Sequence, residues 1–229
     1  MGLRDHGLVR GRRAAKRKAA AETGSGLSLF HFEQELRKSG FSLIAGIDEA
    51  GRGPLAGPVI AAAVILPAVI DLPGLNDSKA LSEQKRVLLA EQIFASALAW
   101  AIGSATVTEI DTLNIRQASF LAMRRALVGL HLRPDCLVVD GHPIPALPLP
   151  QRAVVGGDAQ VAAVAAASII AKVTRDRLML ELDRRFPQYG FRRHKGYPTA
   201  EHLAMLARFG PTPFHRRSFA PVKNLLQKD

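Results

Sequence analysis

Apolar residues in this chain group into short runs separated by Gly and Pro, with longer helical stretches downstream. Residues 41–47 (FSLIAGI) and 58–66 (PVIAAAVIL) are two such runs. Gly51, Gly53, Pro54, Gly57 and Pro58 punctuate the stretch between them, which reads as two strands joined through a tight turn. A third strand is expected around 97–107, then short strands at 136–140 and 152–155. Helices are expected at 82–96 and at 108–130, the second opening with a capping box from Thr108 to Asp111. Residues 159–186 read as one long helix, apolar in its first half and charged in its second, and 199–209 as a helix stopped by Gly210-Pro211. Strands first, then helix alternating with strand, then helices: this order predicts an α/β mixed sheet, antiparallel at one edge and parallel further in. Ligands of such sheets gather at strand ends and the loops beyond them.

Length and composition narrow the picture. A chain of 229 residues with 48% hydrophobic residues suits one catalytic domain with small appendages and a sizeable core. The longest apolar stretches, 58–70 and 161–171, are too short to cross a bilayer, so no membrane association is expected. The single cysteine, Cys136, sits in an apolar run as a small buried hydrophobe and fits residence in the cytoplasm. Nothing points to an obligate dimer, and a monomer is expected. Net charge is +11, of which residues 1–20 supply +6. A basic surplus attracts polyanions but is equally the mark of a solvated basic face. Residues 1–26 form a basic, Ala-rich arm ending in Gly24-Ser25-Gly26, which suits a nonspecific nucleic-acid arm or an inert tail. Its Arg-rich composition also resembles a transit peptide, while the apolar region of a secretory signal is missing.

The acids carry the chemistry. Asp and Glu are seldom buried unless paired or bound to metal, yet four of them abut apolar runs. Asp48 and Glu49 directly follow the first strand, Asp140 ends the strand at 136–140, and Asp158 lies between the last strand and the long helix. Each has an ordinary explanation alone: Asp158 as a helix N-cap, Asp140-Gly141 as a turn, Asp48-Glu49 as the start of a loop. Together, three strand ends of one sheet would deliver four carboxylates to a single edge, where they repel one another unless cations intervene. Hard oxygen ligands suit Mg²⁺ or Mn²⁺, and two such ions support phosphodiester cleavage. No histidine pair has zinc-ligand spacing.

These residues also carry a resemblance. Residues 47–58 (IDEAGRGPLAGP) look like the signature of bacterial ribonuclease HII. So do Asp77-Ser78-Lys79, Val139-Asp140-Gly141, Gly157-Asp158 followed by Ala165 to Arg177, His194 to Thr199 (HKGYPT), and His215 to Phe219 (HRRSF). The likeness covers roughly 41–222 and, less clearly, 30–40. It implies a ribonuclease H-like mixed five-stranded sheet flanked by helices, with a C-terminal helical cap. The implied domains are the arm at 1–26, a catalytic domain at 27–183 and a helical substrate-binding region at 184–229. It implies an endonuclease that cuts the RNA strand of RNA/DNA hybrids and cuts 5′ of a single ribonucleotide in duplex DNA, leaving 5′-phosphate and 3′-hydroxyl ends.

By match of motif, Asp48, Glu49, Asp140 and Asp158 would be the metal-binding catalytic carboxylates; in a two-metal mechanism Asp48 would bridge or anchor both ions, Glu49 and Asp140 would ligate at one side, and Asp158 would hold the ion that positions the attacking water. Gly51-Arg52-Gly53 would approach the scissile ribonucleotide, and Tyr197 would stack on a sugar at the RNA–DNA junction. Backbone without a Cβ can come close to a ligand, and its amides can reach the 2′-hydroxyl that separates RNA from DNA. Arg52, Lys79 and Lys172 are candidates for phosphate contacts. Residues 184–217 hold eight Lys/Arg and one acid, with aromatics interleaved. Of those aromatics only Tyr197 is expected to contact substrate; Phe186, Tyr189, Phe191, Phe209 and Phe214 are expected in the core.

The chain departs from the family pattern at residues 160–164 (QVAAV), where serines are usual, and at His142, where an Asn is expected. The related ribonuclease HIII has a separate N-terminal domain and Glu as its fourth acid, so Asp158 favours type HII. Two rivals remain open. A non-catalytic basic RNA- or DNA-binding module would gain nothing from four carboxylates beside a polyanion. A structure-selective DNA nuclease would ignore the 2′-hydroxyl.

Overall fold

The computed structural model describes residues 29–227. The basic arm expected at 1–26 lies outside the described residues. Five strands form one mixed sheet: β1 (Ile44–Ala50), β2 (Val59–Ile65), β3 (Ala99–Ala105), β4 (Cys136–Asp140) and β5 (Gln151–Val154), in the order β3-β2-β1-β4-β5. The β1-β2 and β2-β3 pairs are antiparallel, and β1-β4 and β4-β5 are parallel. The predicted split therefore holds, with antiparallel pairs at the β3 edge and parallel pairs from β1 across to β5. Among the described residues eight α-helices flank the sheet: α1 (His31–Lys38), α2 (Glu83–Ser96), α3 (Val107–Leu113), α4 (Ile115–Val128), α5 (Ala162–Arg185), α6 (Phe191–His194), α7 (Ala200–Phe209) and α8 (Ala220–Leu226).

The two faces of the sheet carry separate cores. Alternate residues of β1 and β2 (Ala45, Ile47, Ala61, Ala63) pack with Phe120, Met123 and Ala126 of α4 on one face. Ile60, Ala62 and Val64 pack with Ala163, Ala166, Ile169 and Ile170 of α5 on the other. Small residues let α5 sit very near the sheet. At Gly46 a Cβ would fall 2.1 Å from the carbonyl carbon of Ala163, so only glycine admits the helix there.

Four boundaries differ from expectation. β1 runs to Ala50, so Asp48 and Glu49 lie inside the strand rather than after it; β2 pairs with it as far as Ala50↔Ile60. The single helix expected at 108–130 is two helices, broken where Asn114 takes φ +70° and caps α4 through its side chain. The capping box is Thr106 with Glu109, not Thr108 with Asp111; Asp111 instead accepts from Arg217 N, Ser218 N and the Ser218 hydroxyl. Asp158 is not the N-cap of the long helix. It lies in a short 3₁₀ turn, Gly157–Ala159, and α5 starts four residues later with Val161 at its cap position.

Candidate active site

The parallel register sets the arrangement. Ile47 pairs with Val139, so Asp48 and Asp140 stand one step further along neighbouring strands. Asp48, two residues on from Gly46, projects toward α5; Glu49 projects to the opposite face. Asp48, Glu49 and Asp140 line one cleft of about 320 Å³ together with Gly51, Arg52, Gly53, Ser78, Lys79, Ser168, Lys172, Arg175 and Tyr197. Asp158 is buried beside it: its Oδ2 accepts from Lys79 Nζ at 3.0 Å, and its charge is felt by Asp140. The sequence-predicted carboxylates therefore lie at one sheet edge, with the turn, the lysines and Tyr197 around them.

Hydrogen bonds fix the carboxylates individually. Asp140 Oδ1 accepts from Gly157 N at 2.8 Å, which ties the end of β4 to the turn carrying Asp158. Asp48 Oδ1 accepts from the Glu49 amide at 2.7 Å. A bond from Ser168 on α5 favours the Asp48 carboxylate, and Ser168 in turn shares a hydroxyl contact of 2.9 Å with Ser78. Glu49 Oε1 pairs with Arg52 Nη1 at 3.0 Å. Lys172 Nζ donates to Asp176 Oδ1 at 2.6 Å, so its ammonium is engaged along its own helix.

Electrostatics mark the cluster as undercompensated. Burial pushes the Asp48 carboxyl well above its ordinary range, and the charges of Glu49 and Asp140 push it further. Burial raises Glu49 as well, although Arg52 opposes the shift. Asp140 is raised by burial and by Asp158, against the Gly157 amide. Among the described residues no three acidic, His or Cys side chains are drawn close enough to form a finished metal cage. Lys79 pairs with Asp158 and Arg52 with Glu49 as partial counter-charges. The donor set nevertheless fits a hard divalent cation, being all carboxylate oxygen, with Asp48 and Asp158 buried and Glu49 and Asp140 half-buried.

Several residues of the site were not singled out from sequence. Ser168 and Arg175 lie seven residues apart on the buried face of α5, and a polar residue repeated at that spacing in an otherwise apolar helix is the signal that could have found them. Arg216 is fully buried under the turn. A second small cleft adjoins the first on the far side of Glu49 and is lined by Arg116, Ser119, Phe120 and His142. Tyr197 is 44% exposed, whereas Tyr189 and Phe191 are buried, as expected; Phe209, expected in the core, is 47% exposed.

Residues 45–222 match the family model described as Ribonuclease HII. The fold is similar to the ribonuclease H2 from Pyrococcus horikoshii OT3, with 26% identity, TM-score 0.68, and 81% of this chain and 97% of that one covered. It is similar also to a chain of the PCNA:RNase HII complex from Archaeoglobus fulgidus, with 28% identity, TM-score 0.65, and 82% and 98% covered. Bst-RNase HIII in complex with Mn²⁺ shares the fold at 21% identity and TM-score 0.64, with 94% and 81% covered.

Proposed function

The chain belongs to the ribonuclease HII family, hydrolases that cut RNA in RNA/DNA hybrids, and from that premise we propose that it also incises 5′ of single ribonucleotides embedded in duplex DNA. In this reading Asp48, Glu49, Asp140 and Asp158 hold two divalent ions, Mg²⁺ or Mn²⁺. The observation that carries it is the shared cleft: three raised-pKa carboxylates, the Gly51–Gly53 turn and Tyr197 all face one space. When bound, such ions make water a better nucleophile at neutral pH and stabilise charge on the leaving oxygen.

The chain's own groups supply the rest. Asp48, Glu49 and Asp140 stay charged once cations balance them. Lys79 and Arg52, released from Asp158 and Glu49, become free to meet phosphates of the substrate strand. Lys172 joins them at the cleft wall. Amides of the Gly51–Gly53 turn reach for the 2′-hydroxyl, and the Tyr197 ring lies against the downstream sugar, where an additional hydroxyl would disturb the fit. The +11 charge draws the polyanion in. Among the described residues no helix is long and apolar enough to cross a membrane.

The test is a DNA duplex with one ribonucleotide, incubated with Mg²⁺ or Mn²⁺ and mapped at nucleotide resolution. A single cut on the 5′ side, leaving 5′-phosphate and 3′-hydroxyl ends and lost in Asp158→Ala, is expected. Equal cutting of the all-DNA duplex would turn the reading toward a structure-selective DNA nuclease. No cutting, with tight binding retained, would turn it toward a passive binder.

A further inference from the structure

Two arginines are buried without a carboxylate partner. Arg175 is 1% exposed and Arg216 fully buried, and burial lowers them to about 10 and about 9. Among the described residues neither forms an ion pair. Their donors go chiefly to backbone carbonyls of residues 51–58, with Lys195 O and Met179 Sδ as further acceptors of Arg175. Arg216 Nη2 donates to Gly51 O at 2.5 Å and to Gly57 O at 2.8 Å, Nη1 to Arg52 O at 2.9 Å and Nε to Gly57 O at 3.0 Å. Arg175 donates to Ala56 O, Pro58 O and Lys195 O at 3.0–3.1 Å. Gly51 has φ +98°, and a Cβ there would fall 2.1 Å from Arg175 Nε; the glycine is what lets the guanidinium lie against the turn.

Peptide geometry turns these contacts into an aim. In a trans peptide the carbonyl and the following N–H point in opposite directions, and none of these bonds is cis. Drawing the carbonyls of Gly51 and Arg52 inward onto Arg216 therefore points the amides of Arg52 and Gly53 outward. Among the described residues those two amides have no acceptor. Arg175 links the same segment to Lys195 O, two residues before Tyr197. One pair of side chains thus fixes both the turn and the base of the Tyr197 loop.

We propose that Arg216 and Arg175 are positioning residues that orient the Gly51–Gly53 peptide planes, so that the Arg52 and Gly53 amides donate to the ribonucleotide's 2′-oxygen. This rests on the proposed ribonucleotide-directed cutting. Arg216→Lys and Arg175→Lys keep a cation but cannot hold three carbonyls in a fixed fork. Expected, per folded molecule judged by circular dichroism, is a fall in kcat on the one-ribonucleotide duplex of about 10²-fold, the size of a misplaced reactive geometry. Duplex affinity in EDTA stays near that of the unaltered protein. A merely structural role would lower melting temperature and folded fraction while leaving kcat per folded molecule intact.

A second measurement needs no variant. Amide exchange at Arg52 and Gly53 of the full chain, read in EDTA, slows with the ribonucleotide duplex and not with its all-DNA counterpart. If the lysine variants do not fold, this measurement decides. Folded variants with full kcat, or equal exchange with both duplexes, overturn the proposal. If the unaltered protein leaves the ribonucleotide duplex uncut, the functional reading falls too. If it cuts while the variants are unimpaired, only the arginine role falls.

Discussion

Two buried polar regions lie side by side in this molecule and are built on opposite principles. At the carboxylate edge, Asp48 is 4% exposed yet crowded by like charge, and burial with those charges holds its carboxyl well above the ordinary range. Where α5 adjoins the C-terminal helices, Arg175, Arg216, His194, His202 and His215 are equally buried, but each meets an acceptor or a partner ring. His202 and His215 approach through their Nε2 atoms at 3.0 Å, His194 stacks on His202 at 4.5 Å between centroids, and His194 Nε2 meets Tyr189 O at 2.8 Å. The first region is short of compensating charge; the second has its donors and acceptors matched. An incomplete buried site marks where a ligand is expected, and a complete one marks what holds that site in shape.

The contrast breaks if its two halves respond alike to substitution. The largest effect expected is on turnover. Asp48→Ala or Asp140→Ala should lower kcat by at least about 10³-fold, the scale of losing charge stabilisation at a reacting centre, while duplex binding in a gel-shift assay largely persists. Loss of binding in parallel would remove the ligand role. Arg216→Ala should instead cost about 3 kcal/mol or more in urea unfolding, because three buried carbonyl oxygens lose their donor.

Smaller effects sharpen the comparison. Mn²⁺ at a hundredfold excess over its Kd should stabilise the unaltered chain by about 2.7 kcal/mol, and should raise the melting temperature of Asp140→Asn far less. An equal rise would mean that the ion binds elsewhere. In the cap, burial and His202 hold His215 down to about 4 from 6.5. The unfolded chain therefore binds more protons between those values. Stability is fully present above pH 6.5 and falls as pH drops toward 4, by about 3 kcal/mol at 1.36 kcal/mol per unit. His215→Gln should flatten that acid limb of a denaturation series. Smallest of all, Asp48→Asn in EDTA should raise stability by about 1 kcal/mol, since a buried charge crowded by like charges is removed.

Much of this was legible along the chain, for reasons that differ by residue. Strands β2 and β4 are continuous apolar runs, and their acids or glycines stand at sharp boundaries, so periodicity found them. The carboxylates were visible because charge beside a buried strand is unusual. β1 was harder: its pairing with β2 continues through Asp48, Glu49 and Ala50, and sheet hydrogen bonding outweighs the poor strand propensity of acids. The break at Asn114 was hidden because a positive φ in a single Asn leaves little trace in a helical pattern. Arg175 and Arg216 carry no local sign of burial, since arginines are mostly exposed. Their burial follows from carbonyls contributed by a segment more than a hundred residues earlier, which no local window contains.

That separation orders events during synthesis. Gly51 and Arg216 are 165 positions apart, and at about 5–20 residues per second a ribosome takes on the order of ten to thirty seconds to cover the gap. For that interval a nascent chain owns its acids while its turn still lacks its brace. Until Arg216 is made, the Gly51 and Arg52 carbonyls have only water to donate to them.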